Sequence, residues 1–369
     1  MNRKMTCLYL LPPSQGGIKD HVITLIKGLD KNKYRAIVVA PPSKELEQAL
    51  LIFEHSFIPL GWDNKTLNKI KLIKRISKII NSYQVDIMHT HGYKIDIIGK
   101  AALHLSNKQV KVITTLHNFY PKKFNNPIVR FGMDLLYRRS DHIITVSNAL
   151  KNHINLKRKE KVSVIYNGVD VNQSLSPNER YSVSEKRAKI IGTVARLSSE
   201  KGIDILIRAF SQLKHKFSYL ELIIVGSGPR EEALRQLVKS LNLTESIYFT
   251  GWQQETTKCL EKIDIFVMPS RSEGLSIATI EAMMAKKPIV ATNTGGLVEL
   301  IDHRETGILV EPNNVEQLGE GIEQLLVDSD LRGKTSINAQ SKAVDRFTSE
   351  LMVANTKRIY EKVMKKVNL

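Results

Sequence analysis

IDIFVMPSRSEGLSIATIEAM, residues 263–283, reads as a strand, a tight turn and a helix. The apolar run 263–268 has the length of a buried strand, and Ile277, Ile280, Met283 and Met284 recur at helical spacing. Between these runs Glu273 stands beside Gly274, and Glu281 follows eight positions later. A helix N-terminus exposes unpaired N–H groups and a partial positive charge, so Gly274, Leu275 and Ser276 offer a seat for phosphate. A carboxylate presents two acceptor oxygens to the two donors of a diol. Glu273, on the loop, therefore suits sugar hydroxyls above the phosphate, and Glu281, lower on the helix, suits a ribose. The plainer alternative makes Glu273 a helix cap and Glu281 a solvated surface residue.

The same alternation extends outward through the chain. Apolar runs at 6–11, 35–40, 85–89, 110–116, 142–146 and 162–166 alternate with helix-length amphipathic segments, and a second series lies at 190–194, 220–225, 247–250, 263–268, 289–292 and 307–310. Alternation of this kind predicts parallel sheets covered on both faces, hence α/β doubly wound domains. The polar segment 171–187, with Pro177 and several Ser and Asn, divides the two series and is the expected linker. Residues 1–170 are expected to form an N-terminal domain and 188–350 a C-terminal one, facing a central cleft. Ligands in open α/β sheets bind beyond the carboxyl ends of strands, so the residues just after each run are where chemistry is sought.

Composition narrows the partners. Lys and Arg number 55 against 37 Asp and Glu, a formal charge of +18 that calls for something anionic nearby. Aromatic residues make up 6% and are not interleaved with the basic ones as in single-strand binders, so nucleic acid is not expected. No apolar run reaches the roughly 18–20 residues that span a bilayer, and MNRKMTCLYLLPP lacks a signal-peptide pattern. A cytoplasmic location is the expectation. Cys7 and Cys259, far apart and without metal-ligand neighbours, support neither a disulfide framework nor a zinc site and read as small core residues.

Several strand ends carry candidate groups. Gly16 and Gly17 in SQGGIKDHV open a helix, so the backbone can approach a ligand closely, although a plain turn reads equally well. His117 ends the strand in TTLHN, where an imidazole can donate a hydrogen bond or exchange a proton, or be structural. His89 and His91 fall on one side of a continuing strand, the spacing of two metal ligands, but no third ligand presents itself in sequence and no metal is expected. Arg196 and Lys201 in ARLSSEKG combine a planar fork with a point charge, a pairing suited to a diphosphate. Gly226 begins GSGP, an incomplete dinucleotide fingerprint that reads as a close-packed turn near a nucleotide. Asp328-Ser329-Asp330 imitates a metal-binding Asp-x-Asp and is read as incidental.

Taken in order, SQGGIKDHV, the His of TTLHN, NGVD at 167–170, ARLSSEKG, VGSG, the Glu-x7-Glu segment and TNTGGLVELI resemble the family-4 retaining glycosyltransferases of GT-B fold, the type that builds bacterial cell-surface polysaccharide. The resemblance implies two Rossmann-like domains, with the acceptor on the first and a nucleotide-sugar donor on the second, NGVD at the hinge, and a final helix around 351–367 returning to the first domain. It implies that Arg196 and Lys201 hold the donor diphosphate with help from the amides of Leu275 and Ser276. Glu281 would take the ribose, Glu273 the sugar hydroxyls, and His117 the sugar near its reacting carbon. Gly16 and Gly17 would border the phosphate, and the base would lie near Gly226, Trp252 and Gln253. Gly274 belongs to the same phosphate-side turn, and Ser276 departs from the Gly or Pro often found there. No cofactor or metal is implied. The donor is a substrate, with a UDP-sugar favoured over a GDP-sugar, and the acceptor a glycan or lipid-linked molecule. Residues 64–82, with Ile70, Ile73, Ile76 and Ile80 interleaved with Lys69, Lys71, Lys74, Arg75 and Lys78, read as a helix packed on the sheet, or as one that also meets an anionic membrane surface. The open alternatives are a small soluble acceptor, a nucleotide-sugar epimerase of the same fold, and an idle scaffold of other transferases.

Overall fold

Short runs rich in Val, Ile and Leu, buried on both faces, form parallel strands in the computed structural model of the chain, which describes residues 3–13, 16–52, 56–61, 66–119, 126–154, 159–171 and 190–365. Among these residues the chain divides into two units, Met1–Asn167 with Ser349–Leu369, and Gly168–Thr348.

The first unit holds a seven-stranded parallel sheet in the order β3-β2-β1-β4-β5-β6-β7. Its strands are β1 (Met5–Leu10), β2 (Tyr34–Ala40), β3 (Ser56–Pro59), β4 (Ile87–His91), β5 (Lys111–Leu116), β6 (His142–Thr145) and β7 (Val162–Val164). No apolar run announces β3: its four residues are at most half-buried, it lies at the sheet edge, and it ends in Pro59, where a missing N–H is tolerated. The β4 strand runs two residues further than its apolar run 85–89, because Thr90 and His91 are fully buried despite being polar.

Helix Ser349–Lys365 belongs to this first unit. It places Met352, Val353, Ile359, Tyr360 and Val363 in the core beside Val22, Leu25 and Ile26 of helix Gly17–Lys27. The Tyr360 hydroxyl lies 2.7 Å from His89 Nδ1 and 3.0 Å from the Tyr9 hydroxyl, all fully buried. Helix Thr66–Ser82 buries Leu72, Ile76 and Ile80 against the sheet and exposes Lys71, Lys74, Arg75 and Lys78. Ile70, expected in the buried stripe, is half exposed.

The second unit repeats the plan in a six-stranded parallel sheet, β10-β9-β8-β11-β12-β13. These are β8 (Ile190–Val194), β9 (Glu221–Val225), β10 (Ile247–Gly251), β11 (Ile265–Met268), β12 (Ile289–Thr292) and β13 (Ile308–Val310). Renumbered within each unit, both sheets share the order 3-2-1-4-5-6, to which the first adds β7 at its edge, so strand order reverses between β1 and β4 and again between β8 and β11. Ligands of such sheets bind at these reversals. Near its boundary the second unit pairs Val169 with Thr348. The expected linker lies, except for Val171, outside the described residues.

Cys7 is fully buried, which pushes its thiol well above the ordinary range, whereas Cys259 is only half-buried. Asp328 caps helix Ser329–Arg346 by accepting from Leu331 N at 2.8 Å, in keeping with an incidental Asp-x-Asp. Among the described residues no helix is long and apolar enough to cross a membrane.

Candidate functional site

At the reversal between β8 and β11, three glycines set the loops. Gly202 adopts a left-handed conformation (φ 64°), and a Cβ there would stand 2.0 Å from the Pro269 carbonyl oxygen, so the ARLSSEKG loop lies directly against the end of β11. Gly226 (φ 128°) is as tightly set, with Ala195 O 2.0 Å from where its Cβ would be. Gly296 donates its N–H to Glu273 O at 2.9 Å and would clash with Gly274 O if it carried a Cβ. The TNTGG turn after β12 is thereby seated on the Glu273–Gly274 loop.

This close packing brings Lys201 to Glu273. Their charged atoms are 2.6 Å apart, and Ser270 Oγ donates to the same carboxylate oxygen at 3.0 Å. Glu273 is buried, so its charge is held by these two partners rather than by bulk water. Glu273 does not cap the following helix: the cap is Ser276, whose side chain accepts from Thr279 N at 3.1 Å. Gly274, Leu275 and Ser276 are buried at the N-terminus of helix Ile277–Met284, and Glu281 is half-buried on that helix. Arg196 follows β8, is exposed, and has no side-chain partner among the described residues. Trp252 and Gln253 follow β10 at the surface.

One organising residue escapes sequence reasoning. Arg271 donates to both oxygens of Asp204 at 2.8 and 2.6 Å, to Ser199 O at 2.7 Å and to Asn313, while its own N–H reaches Glu200 O at 2.7 Å. Burial works to raise the Asp204 pKa, but the Arg271 hydrogen bonds and charge outweigh it and hold the carboxyl below its usual range. Arg271 thus ties the Lys201 loop to the Glu273 loop. Its position after a strand was visible in sequence; its partners, 67 and 42 residues away, were not.

The first unit presents a different chemistry at its reversal. Gly16 (φ 92°) precedes helix Gly17–Lys27 without a side-chain cap, leaving that N-terminus to backbone amides. His21 from this helix, His91 from the end of β4 and His117 just after β5 converge, all three buried. His91 Nδ1 and His117 Nε2 are 3.0 Å apart, and the His21 and His117 rings meet edge to face at 4.8 Å. His21 Nδ1 lies 3.0 Å from Asn167 Oδ1, which ties NGVD to this cluster. His89, directed to the same side, has both ring nitrogens engaged, by Tyr360 and by Thr115 Oγ1 at 2.7 Å each. Burial lowers the His21 pKa to about 4, against a smaller opposing effect of Asn167, and lowers His89 to about 3 with help from His21. Burial and the neighbouring imidazoles hold His91 and His117 well below the ordinary value. All four rings are therefore neutral at pH 7.

Comparison with known proteins agrees with this architecture. Residues 15–173 match the family model described as Glycosyltransferase Family 4, and residues 177–342 the model described as Glycosyl transferases group 1. The N-acetyl-alpha-D-glucosaminyl L-malate synthase of Bacillus anthracis is 26% identical, with 80% of each chain covered. A capsular polysaccharide biosynthesis glycosyltransferase of Staphylococcus aureus is 24% identical, over 92% of this chain and 93% of that one. The crystal structure of Anabaena HepE in complex with UDP-glucose is similar with a TM-score of 0.83 and 22% identity, covering 97% of this chain and 100% of that one. Two doubly wound units with loops gathered at each strand reversal define a GT-B glycosyltransferase fold. The chain belongs to the family-4 glycosyltransferases, and it is a transferase enzyme.

Proposed function

We propose that this chain moves a hexosyl or related sugar from a nucleotide-sugar donor, a UDP-sugar in preference to a GDP-sugar, to a glycan or lipid-linked acceptor of a cell-surface polysaccharide, with retention of configuration. The observation that carries the reading is the second unit's strand reversal, where Lys201 and Glu273 pair at 2.6 Å beside a helix N-terminus, and Glu281 lies on that same helix. Cation, amides and carboxylate are the groups a sugar nucleotide needs, for diphosphate, phosphate and ribose in turn. The relatives named for capsular polysaccharide and O-antigen biosynthesis support the acceptor class.

Arg196 and Lys201 are assigned to the diphosphate, with the amides of Leu275 and Ser276, and Gly226 to the neighbourhood of the base. Glu281 is assigned to the ribose and Glu273 to the sugar hydroxyls. His117 and the Gly16-Gly17 turn are the first unit's contribution to the reaction. In the step itself the anomeric carbon–oxygen bond to the diphosphate breaks as the acceptor oxygen bonds to the same face of that carbon. The acceptor's proton passes to the departing phosphate oxygen. Arg196 and Lys201 stabilise the charge that grows there, an electrostatic contribution of roughly 3 kcal/mol per cation, or about a hundredfold in rate. This route draws on protein cations rather than a catalytic metal, so a chelator should leave transfer intact.

Contact with an anionic membrane is part of the proposal. Phe131 and Leu135, 66% and 51% exposed on helix Pro127–Arg138, and the exposed Lys71, Lys74, Arg75 and Lys78 supply apolar and basic surface.

The test is a thermal-shift comparison of UDP, GDP and ADP, since a ligand at a hundredfold its Kd stabilises by ~2.7 kcal/mol. Stabilisation by UDP that disappears in Glu281→Gln is the expected result. Equal response to all three nucleotides, or none, would remove the donor assignment, and donor turnover without an acceptor would replace transfer by epimerisation.

A further inference from the structure

We propose that His21, His91 and His117 form a binding site for a borderline transition-metal dication, Zn²⁺ in the first instance. One ring nitrogen from each histidine lies within 4.8 Å of the others, and all three rings are buried. A tetrahedral zinc site places its nitrogen ligands about 2.0–2.1 Å from the ion, so the ligating atoms need to draw in modestly from this spacing. The His91–His117 pair is already at 3.0 Å.

One further feature points to a cation. His21 directs Nδ1 at the Asn167 side-chain oxygen. An oxygen there can only accept, so Nδ1 carries the hydrogen and Nε2 is left as a lone pair. That arrangement, one ring nitrogen on a carbonyl oxygen and the other free, is how metal-ligating histidines are oriented. His89 is excluded because both its nitrogens are taken. Three neutral imidazoles favour zinc, copper or nickel and disfavour magnesium and calcium, which take oxygen ligands. A fourth position remains for water.

The site goes beyond the transfer reading, and meets it only at His117, which a bound ion would withdraw from the reaction. Zinc is accordingly an inhibitor of transfer rather than a participant.

The test uses the metal-free full chain. Titration with Co²⁺, as a spectroscopic stand-in for zinc, should give one equivalent with the intense visible bands of a four-coordinate nitrogen–oxygen site and no thiolate charge-transfer band. Zn²⁺ should displace it, and Mg²⁺ should not. His21→Gln and His91→Gln should abolish the spectrum while keeping the far-ultraviolet circular dichroism of the parent. Asn167→Ala, which leaves every ligand in place, should weaken zinc binding by about 10–100-fold. Exposed His104→Gln should leave it unchanged. A weak six-coordinate cobalt spectrum in the parent chain, or a tetrahedral one that survives His91→Gln, overturns the site. Since binding is read without activity, a chain that binds zinc but, when metal-free, transfers no sugar from any nucleotide donor would sink the proposed transfer reading and leave this one standing.

Discussion

The two units share one strand order and use it for opposite chemistry. At the reversal between β8 and β11 the second unit gathers charge: Lys201, Glu273 and Arg271 on loops clamped by glycines, Asp204 in the first turn of helix Ile203–Lys216, and Arg196 at the surface. At the reversal between β1 and β4 the first unit gathers neutral, buried histidines from a helix and two strand ends. A charged site must be held open against its own ion pairs, so its precision lies in loop backbone. An imidazole cluster is held by burial, so its precision lies in packing and in the tautomer each ring is given.

If loop backbone sets the second unit, the largest effect should come from a single methyl group. Gly226→Ala places a Cβ 2.0 Å from Ala195 O at a φ of 128° that alanine resists. We expect a loss of roughly 3 kcal/mol in stability and transfer below about one hundredth of the parent rate. Denaturant melts and steady-state rates check both, and a variant with parental values would mean that the β8 and β9 loops are not locked together.

The ion pair is the next point of attack. Lys201→Ala should lower turnover by about a hundredfold, and it also deprives buried Glu273 of its cation. Part of the damage therefore comes from the carboxylate left behind. Lys201→Ala combined with Glu273→Gln should be less destabilised than the two single losses summed, with a coupling of about 1–3 kcal/mol in a double-mutant cycle. Additive stabilities would show that the pair does not interact, and the contrast between charged and neutral units would lose its main support.

The histidine cluster should make stability respond to pH. His21 titrates near 4 and His89 near 3 when folded, against about 6.5 when unfolded. The unfolded chain therefore takes up more protons as pH falls below 6.5, and stability declines from there toward pH 4. Above pH 6.5 these groups contribute a flat stabilisation. The loss should amount to a few kcal/mol, since one unit is about 1.4 kcal/mol, and His21→Gln should shallow the slope. A stability curve flat between pH 7 and 4.5 would show the rings to be solvated.

Legibility in sequence followed the same division. The doubly wound fold was readable because each strand is a short apolar run and each helix has its own period, and only β3, four residues long, at most half-buried and at the edge, carried no signal. Lys201 and Glu273 could be singled out because charged groups directly after strands stand out against apolar surroundings. That they pair with each other could not, because 72 residues separate them. The histidines were half legible: period two put His89 and His91 on one side, but the residues facing them, His21 and His117, come from other segments, and only the fold assembles them. Tyr360 was beyond reach, since a tyrosine in an amphipathic helix gives no sign of the strand it meets.

That tyrosine gives the smallest and most local test of the comparison. Tyr360→Phe keeps the ring and its packing but removes the hydroxyl that serves both His89 Nδ1 and Tyr9. Two buried groups are left to find new partners, which should destabilise by about 1–2 kcal/mol. Because the core contacts of helix Ser349–Lys365 survive, the loss should appear as faster amide exchange in that helix and in β1 and β4, with the second unit's strands unchanged. If protection falls equally in β8 and β11, the two units do not hold their sites by separate means. If it falls nowhere, the hydroxyl is incidental, and the C-terminal helix is kept in the first unit by its apolar face alone.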